Sequence, residues 1–67
     1  MLKKYPVLNA QIALSGMTRS RLAEAVGMHY NTLCRKLRGE TGFTIDEAIM
    51  IRKALASSLP VEELFKE

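Results

Sequence analysis

The chain has 67 residues, 48% of them hydrophobic and 25% charged, which suits one small folded domain and excludes a disordered chain. No apolar run approaches the ~20 residues that span a bilayer, and a single cysteine excludes an internal disulfide, so helix packing must hold the domain together. The expected setting is the cytoplasm, with no cofactor and no membrane partner. The formal net charge of +3 is unevenly spread. Lys3 and Lys4 lead the chain, and Arg19, Arg21, Arg35, Lys36 and Arg38 outnumber Glu24 and Glu40. The last third is acidic, through Asp46, Glu47, Glu62, Glu63 and Glu67. One basic face toward a polyanion fits that asymmetry.

Pro6 opens a first helix with Tyr5, Leu8 and Ile12 at helical spacing, and Gly16 stops it. Asn9 and Gln11 interrupt its apolar stretch, so it reads as a structural helix and not as a leader. Thr18 caps a second helix, TRSRLAEAVG, with Met17 and Leu22 placed as a hydrophobic staple. Leu22, Ala23 and Val26 form its inner face, and Gly27 ends it. A third helix follows near His29 or Tyr30 and stops at Gly39. The segment GETGF is a loop that tucks Phe43 inward. Thr44 and Glu47 form the T-x-x-E capping box of a fourth helix through about Ala56. Its inward residues are expected to be Ile45, Ala48, Ile49, Ile51 and Leu55, with Arg52 snorkelling along the stripe to water. Ser57 and Ser58 break it, and Pro60 opens a last short helix that supplies Leu64 and Phe65. No segment alternates like a strand. The fold class is all-α: a compact five-helix set.

The short link at Gly27 and Met28 is the length of a helix-turn-helix connection, and glycine there tolerates a left-handed backbone. On a wheel of about 100° per residue with Leu33 at zero, Leu37 falls at about 40° and forms the inner edge with it. Arg38 falls at about 140°, Asn31 at about 160° and Arg35 at about 200°. Cys34 and Thr32 flank this stripe, and Tyr30 and Lys36 sit beside the core edge. Amide and guanidinium side chains suit base edges and phosphates, and no acid interrupts this helix. Arg38 and Lys36, toward its C-terminal end, are placed as phosphate contacts, and His29 as a phosphate contact at its start. Asn31 has the alternative of a capping amide, and Tyr30 of packing on the second helix.

These features together carry a resemblance. The segment RSRLAEAVGMHYNTLCRKLRG is similar to the helix-turn-helix of lambdoid phage repressor and Cro proteins, in Leu22, Ala23, Val26, Gly27, Leu33 and Gly39. The following ETGFTIDEAIMIRKAL and the terminal VEELF also fit, so nearly the whole chain is covered. One departure is Lys36, at a position often apolar in the family, with Leu37 taking that role. The resemblance implies a lambda-repressor-like domain over residues 1–67, with its helix-turn-helix core at about 18–39. It implies that Tyr30, Asn31 and Arg35 contact bases in the major groove and that Thr18, Arg19 and Ser20 meet the DNA backbone. The implied function is a sequence-specific regulator of repressor or Cro type, of prophage kind, binding a palindromic duplex as a homodimer.

His29 and Cys34 do not make a metal or thiol site. Five residues apart on a helix, they diverge by about 140°, and the chain has no other His or Cys. No converging acid, base or nucleophile supports an enzyme, and nothing calls for a small-molecule ligand. The rival expectation is a protein-binding module on the same fold, such as an antirepressor or an assembly adaptor.

Overall fold

The computed structural model describes residues 4–67; Lys3, one of the basic residues above, lies outside them. Five helices follow in order: α1 Pro6–Ser15, α2 Arg19–Ala25, α3 Tyr30–Leu37, α4 Ile45–Ala54 and α5 Val61–Leu64. There is no strand among the described residues, and no helix is long and apolar enough to cross a membrane.

Five side chains are completely or almost completely withdrawn from water: Leu8, Leu22, Leu33, Ile51 and Leu64. Each helix contributes one of them, and all belong to a single core cluster. Burying a leucine or isoleucine contributes roughly 1.5–3 kcal/mol, so this cluster is the main force gathering helices too short to persist alone. Beside it Tyr5, Phe43 and Phe65 meet edge to face, with ring centroids 5.0–6.0 Å apart. That triad ties the start of α1, the α3–α4 loop and the end of α5 into one corner, and it accounts for the inward turn of Phe43.

The caps explain where the helices begin and end. The Thr18 hydroxyl oxygen accepts a bond from the Arg21 amide at 3.1 Å. Thr44 and Glu47 complete a reciprocal capping box, the Glu47 amide donating to the Thr44 hydroxyl and the Thr44 amide to the Glu47 carboxylate. Three helices close in the same way. At α2 the Met28 amide donates to Ala23 O and the Gly27 amide to Glu24 O. At α3 the Glu40 amide donates to Arg35 O and the Gly39 amide to Lys36 O. At α4 the Ser57 amide donates to Arg52 O and the Ala56 amide to Lys53 O. These are Schellman closures, whose pivot residue adopts a left-handed conformation.

The fourth helix departs from the pattern its sequence suggests. Periodicity puts Ile45 and Ile49 on its inner stripe, but both are exposed; Ala48, Ile51 and Leu55 are buried, and Ala54 packs partly against the core. The expected stripe is too wide for one contact: Ile45 and Ile49 lie about 90° and 130° round the helix from the centre of the buried face. Arg52 does not run out freely to water: its Nε donates to the Leu59 carbonyl, tying the Ser57–Pro60 link to α4. The helix also stops at Ala54, slightly before the expected Ala56, because Ala56 leaves the helical region with φ 51°.

The shared closure yields paired expectations. Gly27 has φ 68° and nothing within 4 Å of an added Cβ, so Gly27→Ala costs only backbone strain, about 1–2 kcal/mol. Ala56→Gly removes the same strain and, after the extra chain entropy of glycine, raises stability by up to about 1 kcal/mol. Urea denaturation of both variants checks the opposite signs; two changes of equal sign contradict the assignment.

Candidate nucleic-acid interface

α2 packs more extensively on α3 than on any other helix. The link between them, Val26 to His29, turns at Gly27 and hands the chain to α3 with His29 as an extended N-cap. Leu33 and Leu37 are buried as expected, and Cys34 joins them. With these three on the inside, the buried face of α3 centres about 30° toward Cys34 from the expected Leu33–Leu37 edge. The outward direction then lies between Arg35 and Thr32. Tyr30, Asn31, Thr32, Arg35 and Arg38 are all exposed, Tyr30 at 49%. Thr32, only a flanking residue when the two leucines define the edge, thus joins the outer face. The signal that points to it is Cys34, a small residue of a type most often buried.

Tyr30 does not bury itself against the second helix. Its phenol is held above its ordinary value chiefly by the Cys34 thiol one turn along, with Arg19 acting in the opposite direction. Arg19 is itself positioned from α1: its guanidinium donates to the Asn9 side-chain oxygen at 3.2 Å, while the Asn9 amide nitrogen donates to Tyr5 O at 2.9 Å. Ser20 near the start of α2 lines one notch with His29 and Tyr30 at the start of α3, so the two starts share one side of the molecule. Thr18, Ser20 and His29 are exposed there too, the Thr18 oxygen already accepting the capping bond. A shallow notch between the helices lies among Ser20, Glu24, His29 and Tyr30.

At the other end of α3 the basic residues divide. Arg38 Nε lies 2.7 Å from one oxygen of Glu40, and Arg35 Nε lies 3.5 Å from the other. The acid-free helix thus has an acid immediately behind it, brought round by the Gly39 closure. The Arg38 guanidinium, followed by Arg35, holds the Glu40 carboxyl below its ordinary range. Exposed pairs of this kind contribute little to stability and exchange readily for another anion.

Lys36, one of the expected backbone contacts, is engaged within the chain. Its ammonium donates to the Gly42 carbonyl at 2.7 Å, lies 3.2 Å from Glu47 and stands over the Phe43 ring. Its side chain is 13% exposed. Lys36 extends along the opposite flank of α3 from Arg38, where the loop closes over it, so it serves as a strut for the α3–α4 loop. This also explains how a lysine occupies a position next to the core.

No cluster of three or more His, Cys, Asp or Glu side chains forms a metal-binding group among the described residues. Compared with known proteins, the chain matches no family model, and no curated protein matches it.

The Lys36 strut leads to a pH dependence. The Thr44 backbone amide, followed by Lys36, holds the Glu47 carboxyl below its ordinary 4.5. A depressed folded-state value means that the stabilisation is complete above the unfolded value of 4.5 and drains away as the pH falls through the lower folded-state value. Glu47→Gln keeps an acceptor for the cap but has no charge to lose. Denaturation midpoints measured across this acid range should fall less steeply for Glu47→Gln than for the parent; parallel curves contradict the assignment.

Proposed function

We propose that this chain is a sequence-specific reader of double-stranded DNA, with α2 and α3 acting as a helix-turn-helix in a lambda-repressor-like arrangement. In this reading α3 enters the major groove by its N-terminal half and α2 lies across the backbone. The observation that carries the reading is the pairing of a firmly anchored helix with an amide- and guanidinium-bearing outer face. Leu33, Cys34 and Leu37 fix its rotation, and Asn31, Thr32 and Arg35 are exposed on the other side.

Roles follow from chemistry and position. Asn31 has the donor and acceptor geometry that reads adenine, and Arg35 the fork that reads guanine. Tyr30 and Thr32 flank them and offer hydroxyls and apolar contact to neighbouring bases. Arg19, held by Asn9, contacts a phosphate, together with Thr18, Ser20 and His29. Arg38 contacts the backbone at the rim after exchanging Glu40 for phosphate. Lys36, committed to the α3–α4 loop, takes no part.

A monomer reads only a few base pairs, so useful specificity calls for two half-sites about 34 Å apart and a homodimer on DNA. The regulatory effect is occupancy of the groove, as expected of a repressor or Cro-type protein, without chemistry on either partner.

Binding measured by fluorescence anisotropy on a preferred duplex and on a scrambled one tests these roles. Asn31→Ala and Arg35→Ala should each cost about 1–3 kcal/mol on the preferred duplex and much less on the scrambled one. Arg19→Ala should weaken both duplexes and reduce the slope of log affinity against log salt by about 0.9 for each phosphate no longer neutralised. Lys36→Ala should leave that slope unchanged. Equal losses on both duplexes for Asn31 and Arg35 would overturn the assignment of base readers.

A further inference from the structure

α4 buries Ala48 and Ile51, with Leu55 just beyond its end, yet the opposite face remains open. Ile45 is 70% exposed, Ile49 39% and Met50 44%. Single exposed apolar residues are ordinary, but three large ones within six positions of one helix make a patch of the kind that marks an interaction surface. On a wheel of about 100° per residue with Ile45 at zero, the buried residues centre at about 270°. Ile49 then lies at about 40° and Met50 at about 140°. Between them, Lys53 at about 80° and Asp46 at about 100° run down the middle of the open face.

The charges on this helix divide in the same way. Glu47 is held by Thr44 and Lys36, and Arg52 by the Leu59 carbonyl. Asp46 and Lys53 are exposed and form no ion pair among the described residues. Seven residues separate them, about 10 Å along the axis, so they cannot neutralise each other within one chain. A second copy removes that obstacle. A two-fold axis passing beside α4, at right angles to it and level with the Ile49–Met50 step, lays the helices antiparallel and sets Asp46 of each copy opposite Lys53 of the other. The same rotation sets Ile49 opposite Ile49 and Met50 opposite Met50 of the other copy, on either side of the midline, giving an apolar centre with a charge pair about 5 Å to either side along the helix axis.

We propose that the Ile45, Ile49 and Met50 face of α4 binds a second copy of this chain in a two-fold, antiparallel α4–α4 contact, with Asp46 and Lys53 forming reciprocal ion pairs. The contact is isologous: one patch complements itself, so assembly closes at a dimer. It gives a surface to the homodimer invoked above, but self-association is read without DNA, so its failure leaves the DNA reading standing. Two ten-residue helices cover less than the ~1,200 Å² of a stable interface, so the dimer is weak and salt-sensitive when DNA is absent.

Sedimentation equilibrium at low salt tests the proposal. The parent chain should dimerise below about 1 mM. Asp46→Lys and Lys53→Asp should each weaken dimerisation about tenfold or more, because two attractive pairs become two repulsive ones. An equimolar mixture of the two variants should recover the dimer, since an all-lysine face then meets an all-aspartate face. Circular dichroism should give both variants the helix content of the parent, both positions being exposed. A parent that stays monomeric, reversals that leave the dimer unchanged, or a mixture that fails to recover it would each overturn the proposal.

Discussion

Leu33 is the residue on which the proposed site depends. It is the contribution of α3 to a core to which every helix gives one nearly or wholly buried aliphatic side chain. With Cys34 and Leu37 it fixes how far α3 turns about its own axis. Everything the outer face offers follows from that angle: a rotation of one residue, about 100°, would bring Arg38 or Lys36 to the centre of the buried face and turn other side chains outward. A helix of eight residues has too little intrinsic stability to hold such an angle alone, so the packing behind the face sets its precision.

The ends of α3 are governed by backbone hydrogen bonds. At its start, the closure of α2 through Gly27 brings His29 into the cap position after a link too short to wander. At its finish, the equivalent closure through Gly39 turns the chain so that Glu40 meets Arg35 and Arg38. The same device that ends the helix therefore moderates the charge of its outer face. The two guanidiniums are held in defined positions by an exposed carboxylate, a partner that another anion can replace.

Local chemistry makes most of this organisation legible in the sequence. Pro6, Thr18, Thr44, Gly16, Gly27 and Gly39 announce where helices begin and end, Pro6 through its fixed φ and the others through bonds to residues three positions away. Leu8, Leu22 and Leu33 are evident because helical periodicity and volume agree there. Sequence and structure part where a residue's environment depends on distant stretches of the chain. Ile45 and Ile49 have the composition of core residues, but they lie about 90° and 130° round the helix from the centre of the face that Ala48, Ile51 and Leu55 bury. Lys36 looks like a free basic group, because nothing in α3 reveals that Gly42 and Glu47 close over it. Glu40 lies outside the helix, as its place after Gly39 suggests, while its return onto Arg35 and Arg38 depends on how Gly39 bends the chain. Thr32 and Cys34 are misleading for a subtler reason: two leucines define an edge, and a third buried residue is needed to define the centre of a face.

On the proposed reading α3 is a probe whose outer residues discriminate among duplex sequences. Selection of the intact chain against a random duplex library, with the enriched pool read by sequencing, tests that claim most directly. The predicted result is one enriched motif with two-fold symmetry, its half-sites about one helical turn apart. A pool that stays random while the protein remains folded would contradict it.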